Sequence, residues 1–290
     1  MLGAGWTQVA ALAAAFVIAV LATPAGISGA VLLLPFQVSV LGTPSPAVTP
    51  TNLLYNVVAT PGALYRYWRQ GQAGGRLALV LTAGTLPGVI AGSIIRVELL
   101  PSAHVFDFVV AAVLLPLGMW LALTGPTRAE GEEGKERKER KERKEGKEQE
   151  EGEEREEREE RTVRAVPPPV LILLAVAVGC VGGLYGIGGG SILAPVLIGT
   201  GLPPREVAPA ALASTFATSM AGVITFLLLS VHHHGSVAPD WPTGLALGVG
   251  GLAGAYTGAR IQRHLPDTLI RRVTGVLVVA IGARYLWSGL

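Results

Sequence analysis

The stretch GLYGIGGGSILAPVLIGTG, residues 183–201, decides the fold. Five glycines fall within residues 183–190, and an apolar run follows them directly. A weaker copy, GISGAVLLLPFQVSVLG, occupies residues 26–42. Glycine clusters hold a phosphate, form a turn, or let two backbones approach closely. The sequence around each copy must therefore decide between a soluble phosphate-binding loop and a broken helix.

The charge distribution indicates membrane spans on both sides of one polar segment. The chain has 290 residues and a mean hydropathy of +0.48. Sixteen of the 21 acidic and twelve of the 23 basic residues lie between residues 130 and 164. The flanking regions are therefore almost free of charge, which is typical of transmembrane helices. The single cysteine allows no intrachain disulfide and no cysteine cluster, so we expect no metal and no cofactor.

The charged segment, residues 126–166, is predicted to be a cytoplasmic linker that tethers two membrane halves. Its centre, EGEEGKERKERKERKEGKEQEEGEEREEREER, has no apolar residue to bury and cannot form a core. Oppositely charged pairs at helical spacing would support a solvated single helix. A disordered linker fits the composition equally well, and the sequence leaves the two open.

Each half contains four apolar blocks, and the two halves can be aligned. The blocks are residues 9–40, 47–67, 77–95 and 105–123, then 169–198, 207–231, 245–261 and 269–287. With one-residue shifts, the matches are mostly glycine and proline, for example Gly26 with Gly186 and Pro35 with Pro195. Because these residues fix backbone shape, the pattern predicts a duplicated backbone in residues 1–125 and 167–290. Chance matching in a glycine-rich chain is the alternative.

The loops predict that the two repeats are inverted. Arg66, Arg69 and Arg76 place the loop 66–76 inside, whereas its counterpart VHHHGSVAPDW has no Lys or Arg and is expected outside. The loop 263–272 is arginine-rich and inside, and its counterpart 96–107 is outside. Each half must then cross the membrane an odd number of times. We expect a multi-pass plasma-membrane protein with both termini outside.

An odd number of crossings requires an unusual first block in each half. Residues 9–40 would be ~48 Å long as one helix, against a hydrocarbon core of ~30 Å. A hairpin that enters, breaks at the glycines and leaves on the same side removes this conflict. We therefore predict an all-α protein in which each repeat is one re-entrant hairpin plus three transmembrane helices. Two complete crossings in the first block are the alternative.

The glycine breaks suit a negatively charged ligand. An interrupted helix leaves free N–H groups at the start of its second part, and these attract anions. Paired discontinuous helices indicate the binding site of a transporter. The dinucleotide-loop alternative is disfavoured because the spacing is not G-x-G-x-x-G and no strand precedes it. Glycines that serve only close helix packing remain an open alternative.

Polar residues inside the apolar blocks are the candidate ligands of this anion. The candidates are Ser28, Gly29, Thr51, Asn52, Asn56, Gly188, Gly189, Gly190, Ser191, Ser214 and Thr215. Gln37, Tyr55, Thr218 and Ser219 are further polar residues of these blocks. Asn52 is the strongest candidate, because a buried amide needs partners. No charged residue lies clearly inside a block, so neutral dipoles are expected to hold the anion. We interpret His232–His234 as a solvated loop and expect no metal site.

These motifs resemble the TauE/SafE family of sulfite exporters and toluenesulfonate-uptake permeases. Both copies continue from the glycine cluster to a proline and a Gly-x-x-Pro-like turn, as in GIGGGSILAPVLIGTGLPP. Where the family often has Thr-Ser-Leu, the first copy has Thr51-Asn52-Leu53 and the second has Ala210-Ala211-Leu212. The resemblance covers both halves and excludes the charged linker. It implies export or uptake of a small sulfur-containing anion such as sulfite or an organosulfonate.

The sequence therefore predicts an inner-membrane transporter, and an exporter in particular, that works by alternating access. Its partners would be a small anion and the lipid bilayer, not nucleic acid, and the oligomeric state is left open. A non-transporting membrane scaffold or partner subunit is the alternative. An enzyme has little support, because no catalytic set of residues is evident at membrane depth.

Overall fold

The computed structural model describes residues 2–44, 47–72, 75–99, 168–199, 202–233 and 237–266, with scattered positions between 269 and 283. All regular structure in these ranges is helical, as the sequence predicts. The helices are α1 (Leu2–Ala22), α2 (Ala30–Ser39), α3 (Val48–Trp68), α4 (Gly75–Glu98), α5 (Pro168–Tyr185), α6 (Gly189–Gly199), α7 (Pro204–Ser230) and α8 (Trp241–Gln262). The predicted linker 126–166, the apolar block 105–123 and most of the block 269–287 lie outside the described residues.

Within the residues that the structure describes, three helical segments are long and apolar enough to cross a membrane: Trp6–Ala25, Gly75–Glu98 and Pro204–Ser230. Large apolar side chains also cover the outer surface of the helices. Trp6 is 73% exposed, Leu79 72% and Leu228 65%. Water would penalise so much exposed apolar surface, whereas lipid does not. These features support a multi-pass membrane protein.

The first apolar block is interrupted at its glycine cluster. Helix α1 ends at Ala22, a short 3₁₀ helix covers Thr23–Ala25, and Gly26 then adopts a left-handed φ of 72°. Its N–H donates to the carbonyl of Thr23 at 2.9 Å and closes the turn. Glycine accepts this conformation because it has no Cβ. The chain then begins α2 at Ala30 in a new direction.

The second block is interrupted in the same way. Helix α5 ends at Tyr185, and Gly186 and Gly188 have φ values of 72° and 79° before α6 begins at Gly189. The sequence alignment pairs Gly26 with Gly186, and the two glycines have the same φ. Both glycine clusters therefore break a helix, as predicted, and do not form a soluble phosphate loop.

Helices α1, α3 and α8 run in the same direction and pack through glycines. A Cβ on Gly250 of α8 would overlap the carbonyl oxygen of Leu12 in α1, and one on Gly254 would overlap that of Phe16. Helix α8 meets α3 in a similar way, because Gly62 lies against the backbone of Leu252. Small residues at regular spacing let helix backbones approach this closely in membranes.

Helices α4, α5 and α7 also run parallel to one another. A Cβ on Gly88 of α4 would overlap the carbonyl oxygen of Val176 in α5, and one on Gly92 would overlap that of Cys180. Helix α7 follows α4 along its length. This second group is antiparallel to the first, since Asn56 of α3 bonds Ser219 of α7 while the earlier Leu53 packs against the later Gly222.

The short helices α2 and α6 run back along the longer helices that follow them. Ser28 contacts Asn56 of α3, whereas Gln37, further along the chain, reaches the earlier Asn52. Helix α6 is antiparallel to α7 in the same sense. In each half, the second part of the broken block therefore returns toward the side from which its first part came. This folding brings the two breaks into the middle of the described helices.

Candidate functional site

The two glycine breaks touch each other directly. The backbone N–H of Ser28, in the first break, donates to the Oγ of Ser191, at the second break, at 3.1 Å. Ser191 Oγ also lies 3.0 Å from Thr215 Oγ1 of α7. Ser28 is 5% exposed, Ser191 1% and Thr215 0%. Residues 163 positions apart in the chain thus meet inside the protein, away from bulk water.

Asn56 of α3 joins both breaks through one side chain. Its amide oxygen accepts the hydroxyl of Ser28 in the first break. Its amide nitrogen lies 3.0 Å from the carbonyl of Ile187 and 3.3 Å from that of Gly186 in the second break. The same nitrogen lies 3.1 Å from Ser219 Oγ, so three acceptors share its two hydrogens. The fully buried amide therefore holds the two breaks at a fixed separation.

The first turns of α2 and α6 both begin at this contact. The N–H of Ala30 in α2 donates to Ser28 Oγ at 3.1 Å, and the N–H of Gly189 in α6 donates to Thr218 Oγ1 at 3.2 Å. Two helix N-termini, each with a partial positive charge, thus converge on one small region. Hydroxyl groups satisfy these N–H groups, and hydroxyls can rotate to donate to another ligand.

Close packing also explains several glycines of the breaks. A Cβ on Gly29 would overlap the hydroxyl of Tyr55, and one on Gly190 would overlap the carbonyl oxygen of Ala211. Gly188 combines a left-handed φ with a Cβ position 2.8 Å from Thr215 Cγ2. The breaks therefore need glycine for backbone shape and packing, whatever else they bind.

Asn52 and Thr51 occupy different positions from Asn56. Asn52 donates to the carbonyl of Ala30 at 2.9 Å and accepts from Gln37 Nε2 at 2.9 Å, so these two hydrogen bonds stay within the first half. Thr51 Oγ1 donates to its own helix and accepts the N–H of Asp240 at 2.8 Å, next to the start of α8. Asn52 supports the first turn of α2, and Thr51 lies apart from the breaks.

Thr85 of α4 is a neighbour of the breaks that the sequence analysis did not include. Its Oγ1 lies 3.3 Å from Ser214 Oγ, and a Cβ on Gly189 would overlap its side chain. Thr85 is one of three hydroxyl residues in the block 77–95, with Thr82 and Ser93, and it also donates to Leu81 of its own helix. Only the packing of α4 beside α6 reveals it, so no sequence signal identified this residue.

Arg96 is a buried cation one residue beyond the apolar block 77–95, whose interior was expected to be free of charge. It was expected in the outer loop 96–107, but it belongs to the last turn of α4 and is 1% exposed. Its Nε donates to Thr49 Oγ1 at 3.3 Å, and Thr49 donates to the carbonyl of Leu184 at 3.1 Å. A charge at the end of an apolar block can snorkel outward or turn inward. The spacing of buried residues along α4, which Arg96 continues, is the signal that favours the inward direction.

The second-half loop that contains His232–His234 has no group of three or more potential metal ligands among the residues that the structure describes. His233 instead places Nε2 3.1 Å from a carboxylate oxygen of Glu98, and its Nδ1 lies 3.0 Å from the carbonyl of Leu229. This pair ties the last residues of α4 to the end of α7 at the surface.

Comparisons with known proteins show the family of this chain. A family model described as sulfite exporter TauE/SafE matches residues 11–285. The probable membrane transporter protein YunE of Bacillus subtilis (strain 168) is 32% identical over 120 residues, which are 41% of each chain. Sulfite exporter TauE/SafE family protein 1 of Arabidopsis thaliana is 39% identical over 70 residues, 24% of this chain and 15% of that protein. A probable membrane transporter protein of Xylella fastidiosa (strain 9a5c) is 29% identical over 117 residues, 39% of this chain and 42% of that protein.

The chain thus matches less than half the length of each of these relatives. No solved structure matches it with significance. The family model, in contrast, covers both halves and the breaks between their helices. The chain therefore belongs to the sulfite exporter TauE/SafE family of membrane transporters.

Proposed function

We propose that this protein transports a small sulfur-containing anion, such as sulfite or an organosulfonate, and works as an exporter by alternating access. The observation that carries the proposal is the direct contact of the two breaks through Ser28, Ser191 and Asn56. The names of the Arabidopsis relatives support sulfite as the substrate class. Because the matched segments are short, the substrate is inferred for this chain and not transferred from a whole protein.

The two halves, residues 1–125 and 167–290, are in this proposal inverted repeats joined by the cytoplasmic linker 126–166. The packing directions support the inversion. Helices α1 and α3 run one way, whereas their counterparts α5 and α7 run the opposite way. Helices α4 and α8 are opposed in the same manner. Each broken block then forms a re-entrant hairpin, and three further spans complete the odd number of crossings per half.

The anion would lie where Ser28, Asn56, Ser191 and Thr215 converge. Hydroxyl groups and helix N-termini donate to an oxyanion without a full positive charge, so binding is weak enough to allow release. The candidates Gly29, Gly188, Gly189, Gly190 and Ser214 shape the surrounding backbone. Asn52 supports the site from one turn away. The hydrogen bonds that join the breaks would exchange for bonds to the anion and reform after release.

Flux measurements in proteoliposomes test this function. Purified protein should move radiolabelled sulfite faster than empty vesicles do, and Thr215→Val should lower the rate by about tenfold, the effect of losing a hydrogen bond to a charged group. Thr225→Val is the matched control, because this hydroxyl of the same helix bonds only its own backbone at 2.8 Å. It should retain the wild-type rate.

The alternative is a non-transporting scaffold whose glycines serve only helix packing. A Cβ added at Gly29 or Gly190 would overlap neighbouring atoms, which supports a packing role. A scaffold would give no flux above empty vesicles for sulfite, sulfate or an aromatic sulfonate, and Thr215→Val would then behave like its control.

A further inference from the structure

A surface at the far ends of α3 and α8 takes no part in the site at the breaks. Both helices end there in arginine and aromatic side chains. We propose that this surface binds the headgroup of an anionic phospholipid. The surface, called the arginine patch below, consists of Arg66, Arg69 and Gln70 at the end of α3 and of Tyr256 and Arg260 in α8. The inference does not depend on what the protein transports.

The two helix ends lie side by side because α3 and α8 pack in parallel with a constant register. Successive contacts are four residues further along both helices: Val58 with Gly248, Gly62 with Leu252, and Arg66 with Tyr256. In the last pair, the guanidinium carbon of Arg66 lies 5.9 Å from the centre of the Tyr256 ring. The next step of this register places Gln70 beside Arg260. The patch is therefore one continuous surface formed by two helices.

Two hydrogen-bond donors of the patch lack an acceptor. Arg66 Nε and Gln70 Nε2 are buried atoms with no hydrogen-bond partner in the part of the chain that the structure describes. The two residues are four positions apart and therefore lie on one side of this end of α3. Buried donors without acceptors cost free energy. The pair therefore favours a ligand that offers several oxygen atoms.

The charge of the patch is not neutralised by the protein. None of the acidic residues in the described ranges forms an ion pair with Arg66, Arg69 or Arg260. Three positive charges thus lie close together at the ends of two adjacent helices. A planar guanidinium binds a phosphate group through two parallel hydrogen bonds. The phosphodiester of a phospholipid is the phosphate that a membrane supplies at this place.

The surroundings of the patch fit a whole lipid better than a soluble anion. Tyr65 and Trp68, whose rings are 6.3 Å apart, are 53% and 66% exposed, and such side chains lie at the level of the headgroups. From Tyr256 toward the membrane interior, steps of three or four residues along α8 lead to three exposed apolar side chains, Leu252, Val249 and Leu245. An acyl chain can lie along this line while the arginines hold the headgroup.

The position of the patch also links the two halves of the chain. Helix α3 belongs to the first half and α8 to the second, so a lipid held by Arg66 and Arg260 would contact both. In the orientation proposed above, these helix ends lie on the cytoplasmic side. The lipid would then come from the inner leaflet, whose negative surface attracts basic residues next to the membrane.

Native mass spectrometry of the purified, detergent-solubilised protein tests the patch. Phosphatidylglycerol should be retained at lower concentration than phosphatidylcholine, whose choline group cancels the charge of its phosphate. Arg66→Gln and Arg260→Gln should each weaken the binding of phosphatidylglycerol about fivefold, the loss expected for one basic residue at an anionic lipid surface. Arg260→Lys keeps the charge and should bind more tightly than Arg260→Gln.

Arg272→Gln is the matched control, because it removes an exposed arginine outside the patch. Arg272 lies next to Ile270, which belongs to an apolar cluster with side chains of α4 and α5. This variant should bind phosphatidylglycerol like the wild type. The lipid should also raise the thermal unfolding midpoint of the control but not that of Arg260→Gln, because a ligand that binds only the folded protein stabilises it.

Arginines that serve only to orient the protein in the membrane give a different result. Arg66→Gln and Arg260→Gln would then bind phosphatidylglycerol as the control does, which would overturn the proposal. Equal retention of the two lipids by the wild type would overturn it as well. Glycerol 3-phosphate, which offers the phosphate without acyl chains, should not displace the lipid. Complete displacement would show a site for a soluble phosphate and reject the phospholipid.

Discussion

At the scale of single residues, Asn56 is the group on which the two halves depend most. Its amide accepts from Ser28 in one break and donates to the carbonyl of Ile187 in the other, 131 residues later than Asn56 in the chain. A neutral amide suits this place because it offers donors and acceptors at once. A carboxylate could only accept, and it would repel an anion held nearby.

Asn56→Leu should abolish sulfite flux and lower stability by about 2–4 kcal/mol. The substitution leaves the carbonyls of Gly186 and Ile187 without their side-chain donor, and each unsatisfied buried group costs about 1–3 kcal/mol. Flux in proteoliposomes and the thermal unfolding midpoint in detergent are the measurements. Unchanged flux in Asn56→Leu would show that this amide does not hold the site together.

From the sequence, Asn56 was one of two candidate amides, and Asn52 was ranked ahead of it. Asn52 and Asn56 are four residues apart, hence on one helical face, and both lie in an apolar block. Their positions along α3 distinguish them, because Asn52 contacts α2 whereas Asn56 contacts Gly186 and Ile187 of the second break. The direction of the Arg96 side chain depends on tertiary packing in the same way. Local patterns do not contain that information.

At the scale of helices, glycine residues determine where the two apolar blocks are interrupted and where helix backbones pack closely. The breaks were predictable. An apolar block that is too long for one span must be interrupted, and a run of glycines is where the interruption is expected. The parallel contact of α4 with α5 was not predicted, although Gly84, Gly88 and Gly92 recur every four residues. Such spacing indicates that a helix packs closely but does not name its partner.

Gly92→Ala should destabilise the protein by about 1–3 kcal/mol, the usual cost of overpacking. The new Cβ would overlap the carbonyl oxygen of Cys180, and a backbone atom cannot move aside by changing rotamer. Ala91→Val is the control, because Ala91 is exposed on the neighbouring face of α4. The thermal midpoint in detergent should fall for Gly92→Ala alone. An equal midpoint in both variants would contradict the close contact of α4 and α5.

At the scale of the whole molecule, the central claim is that two broken helices meet and must separate for transport. The charge of the loops predicted that the halves are opposed, and the packing directions of the described helices support it. The closeness of the breaks had no sequence signal beyond their matching glycines. It arises because each short helix folds back along the long helix that follows it.

A cysteine pair at Ser28 and Ser191 tests that claim most directly. The 3.1 Å contact between Ser28 N and Ser191 Oγ brings the two Cα atoms within about 7 Å, a distance that a disulfide can bridge. The measurement is sulfite flux by the Ser28→Cys, Ser191→Cys protein in a Cys180→Ser background, before and after oxidation. We expect the oxidised protein to be cross-linked and inactive, and the reductant to restore its flux. Failure to cross-link, or full flux in the cross-linked protein, would contradict the account.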